Sequence, residues 1–303
     1  MIKYLLSAAV CLATSSSAHA DITVAGDARM GVIANTETDG FAFTSRARIR
    51  FILSGTTDNG LLFGASFGLV DAASASRGRS GTVYIATQRT RLTFGNVDGA
   101  AAMAVGQVAG VGLISDQDRN DLTYIANGGG GLRPAIIGTT SDPSVLYRAT
   151  IGDLTVLASA TQPGGSGPFA YAAGLRYATE ASVVSLGVEG EQTPSDRISH
   201  VIMGAATTFD RTTIKAVYGR LAQDRQRRVT EQFAISLTYR MDDLTLTAFY
   251  ADDSKFGAPL NAAVAYGLGA AYALGGGAAM IGGLAYNETT DTAVYDFGVA
   301  MSF

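Results

Sequence analysis

Asp21-Ile22-Thr23-Val24-Ala25-Gly26-Asp27-Ala28-Arg29-Met30-Gly31-Val32-Ile33-Ala34 divides into two faces with a period of two. Ile22, Val24, Gly26, Ala28, Met30 and Val32 fall on one side, and Thr23, Ala25, Asp27, Arg29 and Gly31 on the other. Successive side chains of an extended chain point to opposite faces, so the stretch reads as a β-strand with one apolar face. The rhythm recurs at 43–54, 61–70, 92–95, 145–151, 154–160, 169–177, 184–189, 198–208, 214–221, 233–240, 244–250, 264–272, 278–286 and 293–303. With a weaker segment at 82–87, sixteen strands are expected. Short connections at 57–60, 88–90, 152–153, 209–211 and 241–243 alternate with longer polar ones at 35–40, 71–80, 163–168, 192–197, 223–228 and 251–261. An even strand count with one tight rim and one loopy rim predicts an up-and-down antiparallel barrel.

A soluble sandwich has the same period, so polarity decides between the two. The apolar faces end in aromatics, at Tyr177, Tyr239, Tyr250, Tyr272, Tyr286 and Tyr295. That placement suits an interfacial girdle. The other faces are small and polar: Thr155, Ser159, Gly174, Arg176, Ser185, Gly187, Ser236, Thr238, Thr245 and Thr247. Such a face suits water better than a packed core. The expected fold is therefore all-β: a sixteen-stranded transmembrane barrel, apolar outside and wet inside. No stretch beyond residue 20 approaches the ~18 consecutive apolar residues that a spanning helix needs.

The first twenty residues read as a secretory signal. Lys3 precedes an apolar run over 4–12, and Ala18-His19-Ala20 forms an A-x-A site before Asp21, so cleavage is expected between Ala20 and Asp21. A lipoprotein reading of Cys11 is disfavoured, because Ala8-Ala9-Val10 matches a lipidation site poorly. Cleavage leaves 283 residues without cysteine and 21 basic against 26 acidic side chains. An exported chain of this kind lacks disulfides, and its charge argues against nucleic acid as a partner.

Residues 97–143 break the strand rhythm. These 47 residues contain a small-residue run over 100–112, the acidic cluster Asp116-Gln117-Asp118-Arg119-Asn120-Asp121 and the glycines of 128–131. Connections of that length are usually functional or disordered, and this one has the size to fold into the lumen of a wide barrel.

Thr44-Ser45-Arg46-Ala47-Arg48-Ile49-Arg50-Phe51, followed by Gly55-Thr56-Thr57-Asp58-Asn59-Gly60-Leu61-Leu62-Phe63-Gly64-Ala65, resembles strands two and three of the alphaproteobacterial (Rhodobacter-type) general diffusion porins. Phe94-Gly95-Asn96-Val97-Asp98 is similar to the end of that family's fifth strand, before its long third loop. The close, Val294-Tyr295-Asp296-Phe297-Gly298-Val299-Ala300-Met301-Ser302-Phe303, resembles its last strand, which carries the terminal Phe that serves as an assembly signal. The middle strands match only in rhythm. The resemblance implies a homotrimer in the outer membrane of a Gram-negative bacterium, exported through a Sec-type signal. It also implies contact with outer-membrane lipid and lipopolysaccharide, and with the barrel-assembly machinery through the C-terminal strand. It further implies a third loop folded into the lumen, setting acidic groups, here Asp116, Asp118 and Asp121, against a basic wall, here Arg46, Arg48 and Arg50.

Arg46, Arg48 and Arg50 occupy alternate positions, so on a strand they form a ladder with a spacing of about 7 Å. Facing lipid near the midplane, each would cost about 2–4 kcal/mol, which turns them inward. There they either line a constriction or pair with wall carboxylates such as Asp27. Arg29, Arg91, Arg148 and Arg176 share the inward phase. A field between an acidic loop and a basic wall orients polar solutes, and its balance sets whether cations or anions pass more easily.

Asp116-x-Asp118-x-Asn120 begins like a calcium loop, but Asp121 replaces the glycine and Asn127 the final glutamate of an EF-hand, which is excluded. A looser Ca²⁺ site at Asp116 and Asp118 stays open, beside solvated or arginine-paired carboxylates. No cofactor is otherwise expected. The one histidine past the signal, His200, adjoins Ser199 but points to the opposite face of a strand, so the two form no dyad. No G-x-S-x-G, P-loop or H-E-x-x-H pattern occurs, which argues against an enzyme. The expected function is passive diffusion of small hydrophilic solutes and ions. The alternatives are a substrate-selective channel, which calls for an aromatic row in the lumen, and a barrel acting as adhesin or receptor, which calls for long outer loops.

Overall fold

The structure is a computed structural model that describes residues 20–36, 38–70, 81–113, 119–125, 144–161, 169–192, 197–224, 228–253 and 264–303. The described residues form sixteen strands: β1 (Ala20–Asn35), β2 (Thr38–Thr56), β3 (Leu62–Val70), β4 (Thr82–Ala86), β5 (Thr90–Gly95), β6 (Ser144–Ile151), β7 (Leu154–Thr161) and β8 (Phe169–Ala178) make one half. β9 (Ser182–Gln192), β10 (Arg197–Phe209), β11 (Thr212–Gln223), β12 (Arg228–Met241), β13 (Leu244–Asp252), β14 (Val264–Gly275), β15 (Ala278–Asn287) and β16 (Thr292–Ser302) make the other. A short helix, α1 (Ala100–Val105), lies between β5 and β6. Every strand pairs antiparallel with its neighbours in sequence, and β1 pairs with β16, closing the barrel. Closure leaves no strand edge with unpaired backbone amides, a condition for crossing hydrocarbon with strands.

The tight rim follows from its turn residues. Gly152-Asp153, Asp210-Arg211, Asp242-Asp243 and Gly276-Gly277 join their strands through two residues. Gly152, Asp210 and Asp242 take φ values of 59°, 52° and 47°. Two-residue hairpins that match the twist of their strands require this left-handed region, which Gly and Asp enter most easily. One end of the barrel seam lies at the same rim, where Phe303 N donates to Gly26 O at 2.9 Å and Gly26 N donates to Phe303 O at 3.2 Å.

Outward and inward faces separate by exposure. Val184, Leu186 and Val188 of β9 are exposed, while Ser185, Gly187 and Glu189 between them are buried. The aromatics expected on the apolar face point outward with them, Tyr177, Tyr250, Tyr272 and Tyr295 among the exposed large side chains. One connection differs from expectation. Instead of a polar loop over 35–40, β1 runs to Asn35 and β2 begins at Thr38, because the two strands keep pairing to Asn35↔Thr38 through an irregularity after Ala34. As a result β2 has 19 residues but pairs with β3 only from Arg48 onward. The stretch of β2 before Arg48, paired to β1, carries Phe41 and Phe43 on the outward face, 83% and 95% exposed.

Candidate functional site

α1 is built almost entirely of alanine, and small inward residues form its seat. Ala100, Ala101, Ala102, Ala104 and Val105 are buried, and the helix packs against β7, β8, β9 and β10. A Cβ at Gly174 of β8 would lie 2.5 Å from Ala100 O, one at Gly187 of β9 2.7 Å from Ala101 Cβ, and one at Gly204 of β10 2.9 Å from Val105 Cγ1. Ala100 N donates to Ser159 Oγ of β7 at 2.8 Å, and Lys215 Nζ of β11 donates to Val105 O at 2.8 Å. The lysine therefore serves the helix C-terminus, where cations are favoured. Met103 is the exposed residue of α1 and points away from this seat.

From Gly106 the chain continues along the inward face of the remaining strands. Ala109 N donates to Ser236 Oγ of β12 at 3.1 Å. Val111 fills the space left by Gly267 and Gly269 of β14. Leu113 N donates to Asp296 Oδ2 of β16 at 2.8 Å, and the Arg29 guanidinium of β1 donates to Leu113 O. Residues 119–125 return beside this track. Gln107 exchanges two bonds with the Leu122 backbone at 2.7 and 2.8 Å, and Asn120 Nδ2 donates to Val108 O at 2.7 Å. The Tyr124 hydroxyl donates to Gly106 O at 3.1 Å. Burial first, then the charges of Glu189 and Asp121, push its pKa well up, so it remains a donor. Outer fastenings come from Arg119 to Thr292, from Thr123 to Asp253, and from Ile125 N to Glu189 Oε1 at 2.7 Å. All these fastenings fall on β7 and β9 to β16, the residue after β13, and β1.

The seven arginines singled out by sequence are all on inward faces. Arg48 Nε lies 2.8 and 3.0 Å from the two Asp27 oxygens, and Arg46 Nη2 lies 3.7 Å from Oδ1. Asp27 and Arg48 are cross-strand partners, as are Arg29 and Arg46, so β1 and β2 bring the pairs together by register alone. The Arg48 and Asp27 side chains stay 45% and 42% exposed, so their pair contributes at most about 1 kcal/mol. Arg50, Arg91 and Arg148 are exposed. Arg91 and Arg148 stand directly opposite each other on β5 and β6, an arrangement that costs stability. The Arg91 guanidinium relieves part of this by lying 3.7 Å above the Tyr84 ring.

Among the acidic expectations, Asp121 is buried, 6% exposed, and Asp116 and Asp118 lie outside the described residues, as does the calcium reading attached to them. Residues 1–19 of the signal also lie outside. His200 is buried on the inward face while Ser199 is exposed on the outward one, so they form no dyad. Sequence reasoning missed the inward groups Glu189, Lys215, Gln232, Asp253 and Asp296 that hold residues 99–113 and 119–125, and read Ser159 and Ser236 only as solvated wall. Their signal is a polar residue in the inward phase, shared by every solvated wall position.

A family model described as Gram-negative porin matches residues 7–292. A porin of Rhodobacter capsulatus is 31% identical, the match covering 93% of this chain and all of the relative. A porin structure refined at 1.8 Å resolution superposes with a TM-score of 0.77 at 29% identity over 93% of this chain and all of that one. A variant of Rh. blastica porin, with a TM-score of 0.70, 19% identity and the same coverage, shares the fold. With its closed sixteen-stranded barrel and an inward face that carries both arginines and the fastenings of a long connection, the chain belongs to the Gram-negative porin family.

Proposed function

We propose that the chain forms a water-filled outer-membrane channel for passive diffusion of small hydrophilic solutes and ions, and that residues 97–143 narrow it. One observation carries the second half. The fastenings of residues 99–113 and 119–125 gather on the β7–β16 side and β1, whereas Arg46, Arg48, Arg50, Arg91 and Arg148 line β2, β5 and β6 across from them. The open passage then lies between the connection and the basic wall, with Arg29 tying one to the other. No catalysis and no cofactor enter this reading. The first twenty residues act as the export signal, cut before Asp21. Phe303 closes the strand offered to the assembly machinery, and outer-membrane lipid and lipopolysaccharide contact the outward face. The outward Phe41 and Phe43 favour a covered surface, as in a homotrimer.

Conductance in planar bilayers tests the proposal. Ohmic steps in groups of three are expected, and a silent bilayer at high protein concentration would end the channel reading. Replacing Arg46, Arg48 and Arg50 together by glutamine should raise the cation-to-anion permeability ratio by about fivefold, because charged clefts hold potentials of a few kT and the ratio follows the potential exponentially. An unmoved ratio removes these arginines from the constriction.

A further inference from the structure

His200 lies on the inward face of β10, 1% exposed, between Glu189 of β9 and Gln232 of β12. Its Nδ1 is 2.6 Å from Glu189 Oε1, and its Nε2 is 3.1 Å from Gln232 Nε2. The second contact crosses β11 above Gly219, where a Cβ would lie 2.6 Å from Gln232 Nε2 and 2.7 Å from His200 Nε2. Each flanking residue also holds the connection. Glu189 Oε1 accepts from Ile125 N at 2.7 Å, and Gln232 Nε2 donates to Thr123 O at 3.3 Å. Four further ionisable groups belong to this neighbourhood: Glu191, the next inward residue of β9; Tyr124, its ring centre 6.3 Å from the imidazole; Asp121, close enough to act on Tyr124; and Asp253, which accepts from Thr123 N and Oγ1 at 3.2 and 2.6 Å. β11 supplies Leu221 and Gly219, without charge.

An amide nitrogen only donates, so Gln232 Nε2 facing His200 Nε2 makes that ring nitrogen an acceptor and leaves the proton on Nδ1, aimed at Glu189. Neutral His200 therefore lets Gln232 use one N–H on the ring and the other on Thr123 O. An imidazolium carries N–H on both nitrogens, and Nε2–H would meet the Gln232 amino group head-on. Turning the amide to offer Oε1 satisfies the ring but sets that oxygen against Thr123 O. Imidazolium and the Thr123 fastening exclude each other.

We infer that the Glu189–His200–Gln232 relay positions residues 123–125 and that a proton on His200 loosens them, which makes the channel current proton-sensitive. This rests on the reading that residues 97–143 narrow the lumen. The other fastenings persist, so the loosened connection fluctuates rather than leaving the wall.

Histidine is the side chain whose charge ordinarily changes between about pH 5 and 8. In single-channel records, brief current transitions should be about tenfold more frequent at pH 5 than at pH 8, the scale set by one buried hydrogen bond. His200→Gln can donate to Glu189 and accept from Gln232 without titrating, and should stay quiet at both pH values. Gln232→Glu accepts from an imidazolium and gives Thr123 O no donor, and should be noisy already at pH 8. Gly187→Leu, which collides with Ala101 and replaces no member of the relay, should change the conductance at either pH. A wild-type response that persists in His200→Gln, or a Gln232→Glu channel indistinguishable from wild type, overturns the relay while an altered Gly187→Leu conductance leaves the narrowing intact. An unaltered Gly187→Leu conductance overturns both.

Discussion

Ala248→Arg lowers the stability of the barrel by about 2–4 kcal/mol, whereas Thr247→Arg, one residue away, leaves it within about 1 kcal/mol. Both positions sit in the middle of β13 (Leu244–Asp252), so they share one depth and differ only in face. Ala248 points outward between its cross-strand partners Leu237 and Leu268, which are 45% and 61% exposed. A guanidinium there must sit in hydrocarbon or bend away from its rotamer minimum. Thr247 points inward, beside Thr238 and Gly269, on the face turned away from hydrocarbon. Urea titration of the barrel folded into lipid vesicles gives both values. Equal costs would mean that the outward face of β13 does not meet lipid.

Gly174→Leu should unseat α1 while the barrel persists. A Cβ at this position would already lie 2.5 Å from Ala100 O and 2.6 Å from Ala104 Cβ, and the leucine adds three more carbons. Backbone on the helix side and a strand on the other cannot both yield. Forcing carbons into a packed site costs about 1–3 kcal/mol, which shifts the ratio of seated to displaced helix by roughly five- to 150-fold. Ser159 loses its bond from Ala100 N, and Lys215 loses the Val105 carbonyl. The strand ladder between β8 and its neighbours uses backbone atoms only, so β-sheet circular dichroism should match wild type. Single-channel conductance should leave the wild-type level. A conductance identical to wild type in a folded variant would show that α1 does not border the pore.

The barrel was legible because its signal is local. A strand that divides lipid from water must alternate, and each of the sixteen segments carries that alternation in its own residues. The inward turn of Arg46, Arg48 and Arg50 followed from the same period and the cost of burying charge. The extent of β1 and β2 was not legible, because polar residues at 35–40 look like a loop unless the partner strand is known to continue the ladder.

The chain by itself determined a closed, inverted barrel with a long interruption after the fifth strand, since period, turn residues and polarity are properties of short stretches. Only the tertiary structure decided what that interruption touches. Gly174 meets Ala100, Asp296 meets Leu113 across 183 positions of sequence, and Glu189, His200 and Gln232 come together from three strands. Such meetings depend on the register and curvature of the whole wall, which place inward residues opposite one another. No window of sequence shorter than the barrel contains that information.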